Sequence, residues 1–228
     1  MMLLVPLVVA LASAPSPTPS APAPTPLKEI GRTRALPACT TIVVHANGAI
    51  TSALDNDRTL AIMVNNLKAT DFDVLNPLQR RNAVEALMKQ AEAIRVAGSS
   101  GDAEIKRLRE MAAASNDAQR KAELKTFADA LGGAIYRQKK AAVEFMRDVT
   151  IIRGREDAEE ARDLMARDAP FNGAGPGFPT PRAAVPAAPH KYNDAMRQIA
   201  LDLTDRQTGI LVDEGIAADH SIPATSGC

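Results

Sequence analysis

A narrow stripe of apolar residues with helical spacing runs through the third quarter of the chain. Its members recur every three or four residues, which places them on one side of an α-helix. They are Leu124, Ala128, Leu131, Ile135, Gln138, Ala142, Phe145, Val149 and Ile152. A stripe this narrow is typical of a helix that packs against a neighbouring helix. Gly132-Gly133 interrupts it, and local weakening is the simpler interpretation, with a kink or a close helix crossing as the alternative.

The segment before this stripe predicts two further helices. The first begins at Asn76-Pro77, where a capping side chain precedes a proline in the first turn. Its apolar face consists of Val84, Leu87, Ala91 and Ile94. The run Gly98-Ser99-Ser100-Gly101 predicts the end of this helix. Residues 105–112 then predict a shorter helix that turns back on the first, and Ser115-Asn116-Asp117 provides the cap of the long helix.

Upstream of this pair, two patterns compete. Ile42-Val43-Val44 followed by Asn47-Gly48 fits a small hairpin, because Asn-Gly is the favoured two-residue turn. Apolar residues between Ile50 and Leu67 instead share one face of a helix. We favour an extended stretch over Thr40–Val44, followed by a helix that covers at least Asp57–Lys68.

Downstream of the stripe, the chain becomes charged and then rich in proline and glycine. Residues 169–190 contain six prolines and three glycines and predict a linker. A last amphipathic helix is expected over residues 191–215, where it packs on the bundle, with residues 216–228 as a tail. Its apolar face consists of Tyr192, Met196, Ile199, Leu203 and Ile210. With residues 38–168 as a helical domain, the pattern predicts an all-α fold, either an elongated helical bundle or antiparallel coiled-coil-like hairpins.

The first residues of the chain resemble an export signal in composition. Residues 1–14 combine an apolar run, Leu3–Ala12, with the small-x-small sequence Ala12-Ser13-Ala14, and the run is too short for the roughly 20 residues of a bilayer span. Residues 15–37 are rich in Pro, Ala, Ser and Thr and predict a disordered spacer. Pro15 disfavours a cut directly before it, so cleavage further along or retention as an anchor is the alternative. We predict an exported protein, periplasmic or extracellular, without a stable membrane span after processing.

Charge and aromatic content narrow the choice of partners. The chain contains 27 basic and 27 acidic side chains, so no bulk field draws it to nucleic acid. Aromatic residues make up 3% of the chain and Trp is absent, which leaves few rings for stacking on bases or sugars. Residues 76–152 carry 14 basic and 10 acidic groups, and residues 153–228 carry 8 and 12, an asymmetry that favours packing of the two regions against each other. We predict no nucleic-acid partner.

Two cysteines lie near opposite ends of the expected mature chain, Cys39 and Cys228. In an oxidising compartment we expect one disulfide between them. Closing so long a loop would stabilise the fold by on the order of 5 kcal/mol in the chain-entropy model. A free thiol or an intermolecular bridge is the alternative. Neither cysteine belongs to a CxxC motif, so we predict no redox role.

Residues that could carry chemistry are scattered. His45, His190 and His220 lack the i, i+4 spacing of a helical zinc site and are predicted to be independent surface residues. The carboxylates of 156–160 are predicted to form a solvated helix face rather than a cation site. The sequence contains no phosphate loop, dinucleotide fingerprint or nucleophile elbow. We therefore assign no catalytic residue, no metal ligand and no cofactor.

These observations favour a non-enzymatic exported protein. It would present amphipathic helices to a protein partner or to copies of itself, in an interaction or structural role in the cell envelope. The alternative is an envelope enzyme whose acid-base site forms only in the fold, from Asp, Glu and His residues. Binding of lipid or cell wall by helix faces is a weaker third hypothesis, because aromatic side chains are few.

Overall fold

The computed structural model describes residues 26–28, 30, 37–168 and 192–225. Its elements are four helices: α1 (Pro37–Ala69), α2 (Pro77–Ala114), α3 (Ala118–Asp168) and α4 (Tyr192–Thr225). No strand occurs within these ranges, so the predicted all-α class is confirmed. At a rise of about 1.5 Å per residue, α3 is about 75 Å long, and the bundle is accordingly elongated.

Successive helices run antiparallel, and the core divides into two apolar clusters at opposite ends of the bundle. The Phe145 cluster joins the end of α1, the start of α2, the second half of α3 and the start of α4. The Phe127 cluster joins the start of α1, the end of α2, the start of α3 and the end of α4. The diagonal helices α1 and α3 contact each other, whereas no contact joins the described parts of α2 and α4.

Both predicted helix caps are confirmed. Asn76 accepts a hydrogen bond from the backbone N–H of Gln79 at 2.9 Å, and the Gln79 side chain accepts one from the Asn76 N–H at 3.2 Å, which forms a capping box. Asp117 Oδ1 accepts from the backbone N–H groups of Gln119 and Arg120 at 3.0 and 3.1 Å. These bonds satisfy amide groups that have no partner inside the first turn.

The long apolar stripe lies in the core of the bundle as predicted. Leu124, Gln138 and Val149 are fully buried, and the stripe ends at the half-buried Ile152. The helix continues through Gly132-Gly133 without a break. A Cβ atom at the second glycine would lie 3.0 Å from Oδ2 of Asp213, so a side chain of α4 comes close to the helix at this position.

The predicted extended stretch over Thr40–Val44 is wrong, and so is the alternative hairpin, because α1 is helical from Pro37 onward. This half of α1 fills the Phe127 cluster with Ala46, Ala49, Ile50 and Ala53. The Asn47 side chain is used in a tertiary contact, since it accepts from the Ile30 N–H at 2.9 Å and donates to the Ile30 carbonyl at 3.2 Å. Packing of the helix therefore outweighs the local Asn-Gly turn preference. The predicted helix over 57–68 is confirmed.

The predicted break at Gly98–Gly101 is also wrong, because α2 runs through it without interruption, and the expected separate short helix does not exist. Both glycines are buried. A Cβ atom at Gly101 would lie 2.7 Å from Ser52 Oγ of α1 and 2.8 Å from Ile135 Cδ1 of α3. Ser52 itself donates to the carbonyl of Ala97 at 2.6 Å. The missing side chains thus allow close approach of neighbouring helices instead of ending their own.

The last helix is longer than predicted, because α4 continues past Gly215 to Thr225. The sequence pattern predicted a tail there, yet Ala217 and Ala224 are buried in the Phe127 cluster. Small residues fill this part of the interface, so the apolar signal in the sequence is weak. The predicted linker over 169–190 and the predicted signal peptide over 1–14 lie outside the described residues. Within the predicted spacer, Leu27 packs into the Phe127 cluster.

Arg80 ties the α1–α2 connection to the ends of α3 and α4. Its Nε and Nη2 donate to the carbonyls of Phe72 and Leu75 at 2.9 and 3.1 Å, and Nη1 pairs with Glu156 of α3. The guanidinium carbon lies 5.1 Å from the centroid of the Tyr192 ring in α4. Burial, with a smaller contribution from Glu156, raises the pKa of Tyr192 to about 12, so the phenol stays neutral. This one side chain thus contacts the α1–α2 connection, α3 and the Tyr192 ring of α4.

The close approach at Gly101 predicts that replacing this glycine with alanine lowers the stability of the bundle, although the same change usually stabilises a helix. We expect Gly101→Ala to destabilise the bundle by about 1–3 kcal/mol, because the added methyl group has no room, although alanine is the better helix former by about 1 kcal/mol. The matched control is Gly154→Ala in α3, where nothing lies within 4 Å of the added Cβ. Urea denaturation should show this control unchanged or more stable. Equal stability of the two variants would contradict the close approach.

Candidate functional site

A layer of polar side chains crosses the bundle between the two apolar clusters. This polar layer consists of Asn56 and Asp57 from α1, Gln138 from α3 and Glu214 from α4. Gln138 is fully buried, and its Nε2 lies 3.0 Å from the Ala53 carbonyl, 2.9 Å from Asp57 Oδ1 and 3.1 Å from Glu214 Oε1. Its Oε1 accepts from Asn56 Nδ2 at 3.0 Å. One amide of α3 therefore connects α1 and α4.

The two carboxyl groups of the polar layer share a proton at neutral pH. Burial, together with the neighbouring Asp57, raises the pKa of Glu214 to about 9. Burial also raises the pKa of Asp57, while its hydrogen bond with Glu214 opposes that shift. A second negative charge is strongly disfavoured in so enclosed a place. We therefore assign the proton to Glu214, whose O–H donates to the Asp57 carboxylate.

Each member of the polar layer occupies a position that its helix turns toward the interior. Gln138 continues the apolar stripe of α3, so sequence reasoning placed it in the core. Glu214 lies between the buried residues Ile210 and Ala217 of α4, and sequence reasoning missed it. The sequence could have revealed the layer through polar residues that occupy core positions in several of the predicted helices. Such residues fix which helices pair and in which register.

The surface grooves do not lead to the polar layer. One groove of about 380 Å³ lies where α1 begins and α2 connects to α3, and it is lined by Thr41, Ile42, Met111, Ala114, Ser115, Arg120 and Leu124. Another of about 280 Å³ lies between α3 and α4, and it is lined by Asp148, Ile151, Ile152, Ala195, Gln198, Ile199 and Asp202. Neither lining includes a residue of the polar layer. Of the two carboxyl groups, that of Glu214 is buried and that of Asp57 is partly exposed.

Two of the three histidines join neighbouring helices. His45 of α1 pairs with Glu104 of α2, and His220 Nδ1 of α4 lies 2.6 Å from Glu123 Oε2 of α3. The His45 side chain is only 12% exposed, so its prediction as an independent surface residue is wrong. His190 lies outside the described residues. Both contacts lie at the end of the bundle that holds the Phe127 cluster.

The acidic run after the apolar stripe behaves mostly as predicted. Asp157 and Glu159 are exposed, as a solvated face requires. Glu156 differs, because it pairs with Arg80. The side chain of Glu160 lies outside the described part of the chain. No group of three or more potential metal ligands occurs among the residues that could be searched.

The predicted disulfide stays a prediction, because the Cys39 side chain and the whole of Cys228 lie outside the described residues. The backbone of Cys39 belongs to the first turn of α1. The start of α1 and the end of α4 both contribute to the Phe127 cluster, at the same end of the bundle. The fold thus brings the start of α1 and the end of α4 to one end of the molecule.

Exposed apolar side chains and charges share the outer sides of α3 and α4. At about 100° per residue, each set lies within a sector of about 80°, opposite the core positions of its helix. The α3 outer face consists of Tyr136, Lys140, Val143, Arg147 and Ile151. The α4 outer face consists of Asp194, Leu201, Asp205, Val212, Ile216 and Asp219. Leu201 and Val212 are each 54% exposed, and Tyr136 is 63% exposed.

In class, the chain is an antiparallel four-helix bundle whose core contains a polar layer. Comparison with known protein-family models, with characterised proteins and with solved structures finds no match for it. None of the helices, over the ranges in which they are described, combines the length and apolar character needed to cross a bilayer. The interpretation of its function therefore rests on the polar layer and the two outer faces.

The proton on Glu214 predicts a dependence of stability on pH. An exposed Glu in the unfolded chain loses its proton near its ordinary pKa of about 4.3, whereas the folded chain keeps the proton up to about 9. The folded state thus binds more protons between these values, and the free energy of unfolding falls as pH rises through this range. We expect the free energy of unfolding of the Glu214→Gln variant to fall less over this pH range, because glutamine does not titrate.

Urea denaturation at about pH 6 and about pH 9 tests this expectation. The matched control is Glu110→Gln on the exposed side of α2, which should keep the wild-type dependence on pH. Identical changes in wild type and Glu214→Gln between the two pH values would show that Glu214 is already ionised in the folded chain.

The predicted disulfide is tested by alkylation and mass measurement of the chain purified from its native host. We expect two alkyl groups only after reduction and a monomer mass without reductant, with a loss of about 5 kcal/mol of stability on reduction. Cys39→Ser serves as the control, since it should leave Cys228 open to alkylation without reductant. Modification of both thiols in the unreduced wild type would refute the bridge.

Proposed function

We propose that this chain is an exported, non-enzymatic helical-bundle protein that acts by binding a protein partner, either another protein of the cell envelope or a second copy of itself. The observation that carries the proposal is the pair of outer faces on α3 and α4. Each of these helices already buries one side in the core. A further apolar stripe on the opposite side is expected of a helix that packs on two sides.

The exposed apolar side chains of the α4 outer face are large and lie at one angle of the helix. Leu201, Val212 and Ile216 follow one another on α4 within a narrow sector, and each is at least 42% exposed. Burial of such side chains contributes on the order of 1.5–3 kcal/mol each when it is complete. A protein partner that covers this face would therefore gain appreciable binding energy. Aspartates on both sides of the stripe would make the binding selective.

The export part of the proposal rests on the sequence. The apolar segment and small residues of 1–14 are followed by a proline-rich stretch, as in a signal peptide and spacer. The cysteine pair is consistent with an oxidising compartment. The non-enzymatic part is supported by the carboxyl pair of Asp57 and Glu214, which lines neither groove and joins α1 and α4 to Gln138 of α3.

Site-specific photocrosslinking in the native host tests partner binding. A photoreactive amino acid at Val212 should give a light-dependent adduct, because this residue lies at the middle of the α4 outer face. The control position is Arg107, which is exposed on α2, away from both outer faces. The double variant Leu201→Gln/Ile216→Gln should weaken the adduct at position 212 while leaving the helical content and thermal unfolding close to wild type.

The proposal fails if position 212 gives no adduct, or if positions 212 and 107 give the same adducts in equal yield. Fractionation of the same cells tests export, and a protein that stays in the cytoplasm at full length would refute that part. An adduct at 212 that the double variant retains undiminished would show that the apolar stripe does not bind the partner.

A further inference from the structure

We infer that the partner of this surface is a second copy of the chain, with the α3 outer face of each protomer seated on the α4 outer face of the other. This inference rests on the proposed function, because it names the partner of the same surface. It is carried by the charges and the axial positions of the residues on the two faces. Both outer faces belong to the described part of the chain, so their residues can be compared directly.

The two faces carry opposite charge beside their apolar side chains. Between residues 136 and 151 the α3 outer face contains Lys140 and Arg147 and no acidic residue, whereas the α4 outer face contains Asp194, Asp205 and Asp219 and no basic residue. Two turns before Tyr136, the exposed Asp129 lies at the same angle of α3 and pairs with Arg109 of α2. Arg147 also contacts Asp148 of its own helix. Lys140 and Asp205 belong to no ion pair within the described chain. The two faces carry charges of opposite sign, so contact between an α3 outer face and an α4 outer face is more favourable than contact between two copies of the same face.

The ion pairs between α3 and α4 give the levels of the residues along the bundle. Arg137 Nε lies 2.6 Å from Asp213 Oδ2, and Glu144 pairs with Arg206. Because the two helices are antiparallel, moving toward the end of α3 corresponds to moving toward the start of α4. Asp205 is therefore level with the space between residues 140 and 147 of the α3 outer face.

Apolar side chains of the two faces match at two levels along the bundle. Leu201 is level with the turn of α3 that contains Ile151. Val212 and Ile216 lie one turn apart on α4 and bracket the level of Tyr136. Two of the three apolar residues of the α3 outer face, Tyr136 and Ile151, thus have an apolar residue of the α4 outer face near their height, whereas Val143 lies close to the height of Asp205.

A two-fold axis parallel to the bundle brings these levels together. Rotation about such an axis keeps every residue at its height and exchanges the positions of α3 and α4 across the interface. Asp205 of each protomer then lies between Lys140 and Arg147 of the other, and the contact occurs twice in a closed dimer. An axis perpendicular to the helices would place each face on its own copy, with like charges opposed. The complementary arrangement is therefore the parallel-axis dimer.

Sedimentation of the full chain under reducing conditions, with charge-reversal variants, tests the dimer. We expect wild type to dimerise reversibly. Asp205→Lys and the double variant Lys140→Glu/Arg147→Glu should each raise the dissociation constant at least about tenfold, or 1.4 kcal/mol. An equimolar mixture of these two variants should dimerise again, because opposite charges then meet at both contacts. Lys106→Glu/Arg107→Glu on the exposed side of α2 is the matched control and should behave as wild type.

The outcomes separate this inference from the proposed function. A position-212 adduct of twice the chain mass supports both, whereas an adduct of another mass alone overturns the dimer and leaves partner binding standing. Loss of the adduct overturns both. A wild-type chain that is monomeric throughout the titration overturns the dimer. The dimer is also overturned if the charge reversals leave the dissociation constant unchanged, or if the mixture of the two variants does not dimerise.

Discussion

The buried amide of Gln138 is the interaction on which the arrangement of the helices depends. It lies in the middle of α3 and contacts α1 and α4 through Asp57 and Glu214. A buried amide or carboxyl group left without a partner costs about 1–3 kcal/mol. Sliding α4 by one turn along α3 would leave several such groups unpaired at once. The polar layer therefore selects a single register, whereas the apolar clusters on either side would tolerate several.

The apolar part of the core depends on small residues as much as on large ones. Few aromatic rings are available, and much of the interior of α1 and α4 is alanine or serine. Helices that meet through small residues come close together, which is why a Cβ atom at Gly101 would collide with Ser52 and Ile135. Close approach in turn shortens the distance that polar side chains must span. The glycines of α2 and the polar layer are thus two parts of one packing arrangement.

The sequence predicted those elements that local interactions determine. The caps at Asn76 and Asp117 use only neighbouring residues, and the apolar stripe of α3 follows the period of its own helix. The Asn47-Gly48 and Gly98–Gly101 signals pointed the wrong way, because contacts with other helices decide the structure there. Glu214 was missed for the same reason, since its significance comes from Asp57, far away in the sequence. Local patterns reveal helices, and only the fold reveals which polar residues meet.

The polar layer and the outer faces depend on the same register between α3 and α4. Glu214 is adjacent to Asp213, and Gln138 is adjacent to Arg137, so the ion pair between α3 and α4 lies directly beside the buried hydrogen bonds. The register that the polar layer imposes is therefore the register in which Asp205 lies level with the space between residues 140 and 147. A surface whose two halves come from different helices keeps its charge pattern only while those helices stay in register. The carboxyl pair, although it lines neither of the two grooves, thereby influences how the charges of α3 and α4 are arranged on the outside of the bundle.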